Sequence, residues 1–180
     1  LARRLFPERS GLALGATALT AFNPMFLFVS AAVNNDAPAA LVGSLALLWI
    51  VRTTDGSSPT TGPTLTRHSM VVGLLIGLGV LTKLSLLGLV PVAVLVVTLR
   101  AWQLYADGSG ARRLVSIIGY PLLLVLVTAS VSGWWFLRNW RIYGDPTALN
   151  AFIAVQGLLQ AVPLLQDWLG EFGTFRWTYW

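Results

Sequence analysis

Cysteine is absent from the 180 residues, which excludes disulfides and thiolate metal sites. Charge is nearly as scarce. Asp, Glu, Lys and Arg make up 11% of the chain, well under the roughly 25% usual in a soluble domain. The single histidine, His68, cannot form a metal-binding pair. No GxSxG elbow, Walker loop or HExxH helix occurs, so nothing points to soluble-enzyme chemistry. The net charge of +5 does not indicate nucleic acid. Most of the arginines flank apolar runs, where the topology-setting charges of membrane proteins lie.

What is present is apolar: 56% hydrophobic residues and a mean hydropathy of +0.72. Several uncharged segments approach or exceed the roughly 20 residues of a spanning helix. Eight tryptophans fit an interfacial belt, where an apolar ring with one N–H sits at headgroup level. The expected fold is an all-α, polytopic transmembrane helical bundle. No signal peptide is recognisable, because 11–33 is too long for an h-region and lacks a cleavage site. The sequence reads as an internal stretch of a longer membrane protein.

Taken in order, Arg3, Arg4 and Arg9 form a basic flank that reads as cytoplasmic. Residues 11–33 are expected to run outward as a first span, kinked at Pro24. Asn34 to Pro38 is the outer turn, and 37–51 returns inward to Arg52. Thr53 to Arg67, rich in Ser, Thr, Gly and Pro, is expected to be a cytoplasmic loop. The next stretch, Ser69 to Leu99, has two readings. One helix of 31 residues would be about 46 Å long, against a core of about 30 Å. Two spans, 69–82 and 84–99, would put Lys83 at an outer tip. Counting positive charge does not separate them: the hairpin puts eight basic residues inside and four outside, the single helix eight and three. Length and the cost of a mid-membrane lysine favour the hairpin. A fifth span follows at 114–133, opening into Trp134-Trp135-Phe136-Leu137-Arg138-Asn139-Trp140. Tyr143-Gly144-Asp145-Pro146 is a turn signal. Residues 147–180 read as an extracytoplasmic interfacial segment after a transmembrane region 1–146.

With the hairpin, Asp36, Lys83, Arg138, Asn139, Arg141 and Asp145 come out on one side. Cations there can hold a lipid-linked phosphate. A carboxylate can orient a sugar hydroxyl, ligate a divalent metal ion or act as a general base. Plainer roles stand beside these. Asp36 can cap the helix that follows, Lys83 can snorkel, and Arg138 and Arg141 can meet lipid headgroups. Trp134, Trp135 and Trp140 suit a belt, Asp145 a turn, and Gly73, Gly77 and Gly79 close helix packing. His68, alone at a membrane boundary, is not expected to be a ligand.

Three motifs in order then resemble one family. Asn23-Pro24, Ser30 and Asn35-Asp36 are similar to the "nP…s…nD" hairpin of polytopic glycosyltransferases of the GT-C class. Gly77-Leu78-Gly79-Val80-Leu81-Thr82-Lys83 resembles their "G-l-a-x-l-t-K" element. Trp135-Phe136-Leu137-Arg138-Asn139 with Tyr143-Gly144-Asp145-Pro146 resembles "W-x-x-R-N-x-x-x-Y-G-D-P". By these motifs the chain resembles dolichyl-phosphate-mannose protein mannosyltransferases and aminoarabinose transferases, and equally bacterial membrane proteins of related architecture. The resemblance implies a transferase taking a sugar from a polyprenyl-phosphate donor on the extracytoplasmic face of a bacterial plasma membrane, with the acceptor unspecified. It implies Asp36 as an acidic catalytic residue and Lys83 as a cation near the donor phosphate, with Asn35, Arg138 and Asn139 also binding substrate. The family's principal carboxylate follows an earlier transmembrane helix and is not found in this sequence. A cofactor is not specified beyond a divalent ion as one role open to Asp36. The competing expectation is a transporter or flippase for a lipid-linked or anionic solute, which would favour Lys83 at the midplane. A purely structural, scaffolding role is the third.

Overall fold

Every regular element in the computed structural model, which describes residues 2–6, 8–31, 34–54, 61–106 and 110–160, is helical. The elements are α1 (Ala2–Leu5), α2 (Ser10–Ala21), α3 (Pro24–Ala31), α4 (Asp36–Thr54), α5 (Gly62–Thr82), a 3₁₀ turn (Leu84–Gly88), α6 (Leu89–Leu104), α7 (Gly110–Tyr143) and α8 (Leu149–Gln160). The chain divides into two units, Leu1–Gly133 and Trp134–Trp180. The all-helical expectation is met. Among the described residues, four helical stretches are long and apolar enough to cross a membrane: Asp36–Thr54, Gly62–Thr82, Leu84–Leu104 and Gly110–Tyr143.

The run at 11–33 is not one kinked helix. It breaks at Phe22 and Asn23, and Pro24 is the first residue of a new helix. The Asn23 carboxamide oxygen accepts from the backbone N–H groups of Met25 at 3.0 Å and Phe26 at 3.2 Å. That is an N-cap followed by proline at the first helical position, where proline's missing N–H costs nothing and its φ suits the helix. The proline therefore starts a helix here rather than bending one.

The loop expected at 53–67 is shorter on both sides. Helix α4 continues to Thr54, and α5 begins at Gly62 behind Thr61, whose hydroxyl accepts from the Thr64 N–H at 3.4 Å. Residues 55–60 and 107–109 lie outside the described part. The aromatic cluster 134–140 is also more ordered than a span end, because α7 carries it on to Tyr143 as continuous helix.

Helix α5 is the hub of the first unit, with 44% of its apolar window buried against 17–28% for the other three. Leu65, Ser69, Val72, Ile76 and Val80 repeat every three or four residues along its buried face, the spacing of one side of a helix. Ala39, Gly43, Ala46 and Ile50 form the matching face of α4, and Ala93, Val97 and Ala101 that of α6. Small residues dominate because, between helices in lipid, close van der Waals packing replaces the hydrophobic drive. The outward faces stay apolar: Leu41, Leu78, Leu95 and Leu99 are all exposed, as a lipid-facing surface requires.

At Gly73 and Gly77, α5 packs closely on α7. A Cβ added at Gly73 would stand 2.7 Å from the Leu124 carbonyl oxygen, and one at Gly77 would stand 2.8 Å from Val131 Cβ. Backbone meets backbone at this crossing, and the Thr128 hydroxyl donates across it to the Gly73 carbonyl at 3.1 Å. The glycines serve close packing, as the sequence suggested.

Candidate functional site

The helical run over 69–99 is broken at Lys83. Helix α5 ends at Thr82; Lys83 is extended (φ −151°, ψ 120°), and the 3₁₀ turn carries the chain into α6. Two glycines and a leucine pack this corner. Leu86 lies so close that a Cβ at Gly79 of α5 would sit 2.9 Å from it, and one at Gly43 of α4 3.1 Å. The Thr82 hydroxyl donates back to the Gly79 carbonyl at 2.7 Å, competing for an acceptor in the last helical turn.

Asn34, Asn35 and Asp36 meet this corner from the start of α4. The Asn34 side-chain oxygen accepts from the Asp36 N–H at 3.1 Å, an Asx-type turn. The Asn35 amide donates to the Thr82 carbonyl at 2.6 Å, satisfying a helix-end acceptor from another element. Lys83 Nζ donates to Asp36 Oδ1 at 2.5 Å, and the two residues are 47 positions apart in sequence. Asp36 thus turns across to Lys83, and no bond from its carboxylate to a helix N–H is found among the described residues. The simple capping role does not account for it. The side chains of Lys83 and Asp36 are 49% and 37% exposed, so the pair stabilises the fold by only about 0.2–1 kcal/mol. What holds the corner is Leu86 between the glycines and the Asn35–Thr82 bond.

Sequence reasoning had singled out Asn35, Asp36 and Lys83, and the structure brings all three together. It had passed over Asn34 and Thr82, which hold the Asp36 backbone and receive the Asn35 amide. An Asx signal at Asn34 was readable; the Thr82 carbonyl was not, since its partner arrives from another helix.

Arg138 and Asn139 belong to the second unit. Arg138 is exposed on α7, as is Arg141. Asn139 is buried, and its amide donates to the Pro146 carbonyl at 3.4 Å. The turn between α7 and α8 explains that burial. Gly144 (φ +68°) ends α7 in the left-handed region, its N–H bonding the Trp140 carbonyl at 2.9 Å. Asp145 then accepts from the Asn150 N–H at 3.0 Å, and from the Thr147 N–H at 2.9 Å and hydroxyl at 2.8 Å. Those bonds, led by the one from Asn150, hold its carboxyl below the usual carboxylate pKa. Asp145 is a turn and cap residue. The aromatic run 172–180 and the rest of 161–180 lie outside the described residues.

Among the described residues no group of three or more His, Cys, Asp or Glu side chains could hold a metal ion. Asp36 would supply one ligand, and the ammonium already on its Oδ1 opposes a second cation there.

Fold and corner together define a polytopic helical protein whose spans carry an acid–amine pair at a helix break. A family model described as dolichyl-phosphate-mannose-protein mannosyltransferase matches residues 1–135, and the chain belongs to that family. The matched stretch includes Asn35, Asp36 and Lys83 and ends before Arg138 and Asn139. Neither a curated protein nor a solved structure matches the chain.

Proposed function

We propose that this chain forms part of a membrane glycosyltransferase that moves a sugar from a polyprenyl-phosphate donor to an acceptor on the extracytoplasmic face. The observation that carries this reading is the Lys83–Asp36 contact at 2.5 Å. It joins an acid and an amine at the end of the bundle opposite Arg52, Arg67 and Arg100. Arg52 lies in the last turn of α4, Arg67 near the start of α5 and Arg100 near the end of α6, and a cytoplasmic position for them follows the positive-inside rule. The Asp36 corner then faces outward.

In the reaction, the bond between the anomeric carbon and the lipid phosphate oxygen breaks, and its electron pair stays on the phosphate. The acceptor oxygen forms the new bond with inversion, and its proton passes to a carboxylate. Lys83 would meet the charge that develops on the leaving phosphate. Asp36 would hold the Lys83 ammonium in place and orient a sugar hydroxyl through its second oxygen. Asn35 would act chiefly as a brace, keeping the end of α5 against the start of α4. Arg138 is an exposed cation of the second unit, and Asn139 would hold the α7–α8 turn. The family membership makes a lipid-linked sugar the natural donor.

The transporter reading needs Lys83 near the midplane of a span. Its position at a helix terminus, half-exposed and paired, favours the transferase. The test is turnover by the full-length protein with a polyprenyl-phosphate sugar. Lys83→Gln should lower turnover by about 100-fold or more, the scale of losing one charge-stabilising donor, with Lys83→Arg recovering part of it. Turnover unchanged in Lys83→Gln would remove the corner from the mechanism. Cysteines placed singly at 36 and 83 in this cysteine-free sequence should both react with an impermeant maleimide from outside; reaction at 36 alone would move the transporter reading ahead.

A further inference from the structure

The opposite end of the first unit carries a second constellation that the transfer reaction does not use. Arg52 in the last turn of α4 and Arg67 in α5 both bring guanidinium carbons to the Trp49 ring, 5.3 Å and 5.9 Å from its centroid. His68 meets the same ring edge-on at 5.3 Å and lies 3.3 Å from the Thr53 hydroxyl through Nδ1. Arg100 of α6 donates through Nε to the Thr53 carbonyl at 2.5 Å and through Nη1 to Gln103 at 3.1 Å. Three helices thus converge three guanidinium groups on Trp49 and Thr53. No carboxylate among the described residues pairs with any of them. Arg52 Nε and Arg100 Nη2 are buried without an acceptor among those residues, although a buried donor left unsatisfied is costly and a charged one more so.

We infer that this cluster is a phosphate-ester site occupied by the headgroup of an anionic phospholipid. Guanidinium groups match phosphate oxygens bidentately, which would give the orphaned N–H groups their acceptors. The level of the site points to lipid as the source. It lies where three span-length apolar helices end, and on α6 the exposed Trp102 stands nearby with Arg113 at 3.7 Å from its ring centroid. Trp and Arg at that depth mark the headgroup layer.

Native mass spectrometry of the purified protein, given phosphatidylglycerol and phosphatidylcholine in equal amounts, tests the assignment. The wild type should retain phosphatidylglycerol over phosphatidylcholine by about tenfold. Arg52→Gln combined with Arg67→Gln should erase that preference. Arg67→Gln alone, at an exposed side chain that leaves the core untouched, should reduce it, and Arg112→Gln, which removes the same charge outside the cluster, should not. Equal retention of the two lipids by the wild type, or the same loss in Arg112→Gln as in Arg67→Gln, would overturn the site. Displacement of the retained lipid by millimolar inorganic phosphate would overturn lipid as its occupant.

Discussion

The turns at Asn34–Pro38 and Gly144–Asp145–Pro146 look alike as sequence. Each sets an aspartate one or two residues before a proline at the entrance to an apolar helix, and the two have opposite fates. Asp145 is consumed locally, by N–H and hydroxyl groups two to five residues away. Asp36 bonds a lysine 47 residues away and leaves its helix N–H groups to other acceptors. An aspartate whose bonds are all local is explained by the turn it builds. One whose partner comes from another helix, half-exposed and worth little to stability, is a group to test for chemistry.

The strongest test of that contrast is to neutralise each acid in turn. Asp36→Asn should cut turnover of the full-length protein by about 100-fold or more with its thermal unfolding nearly unchanged, whereas Asp145→Asn should leave turnover within about twofold. Equal losses would erase the distinction. Next in size is the packing behind the Asp36 corner. Gly79→Val forces a side chain onto Leu86 and should destabilise by about 1–3 kcal/mol. Gly88→Ala, with nothing within 4 Å of an added Cβ, should be close to neutral; thermal melts in one detergent compare them directly.

A smaller effect separates pairing from chemistry. Exchanging the two residues, Asp36→Lys with Lys83→Asp, should recover the few tenths of a kcal/mol lost in either single variant while turnover stays low. Recovered turnover would mean that the contact alone matters, irrespective of which element bears the acid. The least effect is at Asp145. Its carboxyl is held below the ordinary value by N–H and hydroxyl donors, so its contribution to the α7–α8 turn is present above the unfolded-state pKa, near 3.8. That contribution fades as pH falls through the lowered folded value. Amide exchange at Asn150 should therefore quicken, relative to its intrinsic rate, only at strongly acid pH, and in Asp145→Asn this acid-specific step should vanish.

Much of this was legible in the residues themselves. Scarce charge and long apolar runs determine a helical membrane chain, because backbone N–H and C=O groups in lipid must be satisfied within each segment. The length of 69–99 already argued for a break, and Asp36, Asn35 and Lys83 stood out as polar groups at the ends of apolar stretches. Proline at 24 was visible too, but its effect depended on Asn23 one residue earlier, whose capping bonds turn a kink into a new start. Tertiary structure decided the rest. Whether Asp36 caps its own helix or reaches Lys83, whether Asn35 binds outward or braces Thr82, and which arginines share Trp49 all depend on antiparallel helices meeting at their ends. Local sequence sets the period and the breaks of each helix; partners 47 residues apart are chosen only when the helices close on one another, as Gly43 and Gly79 allow around Leu86.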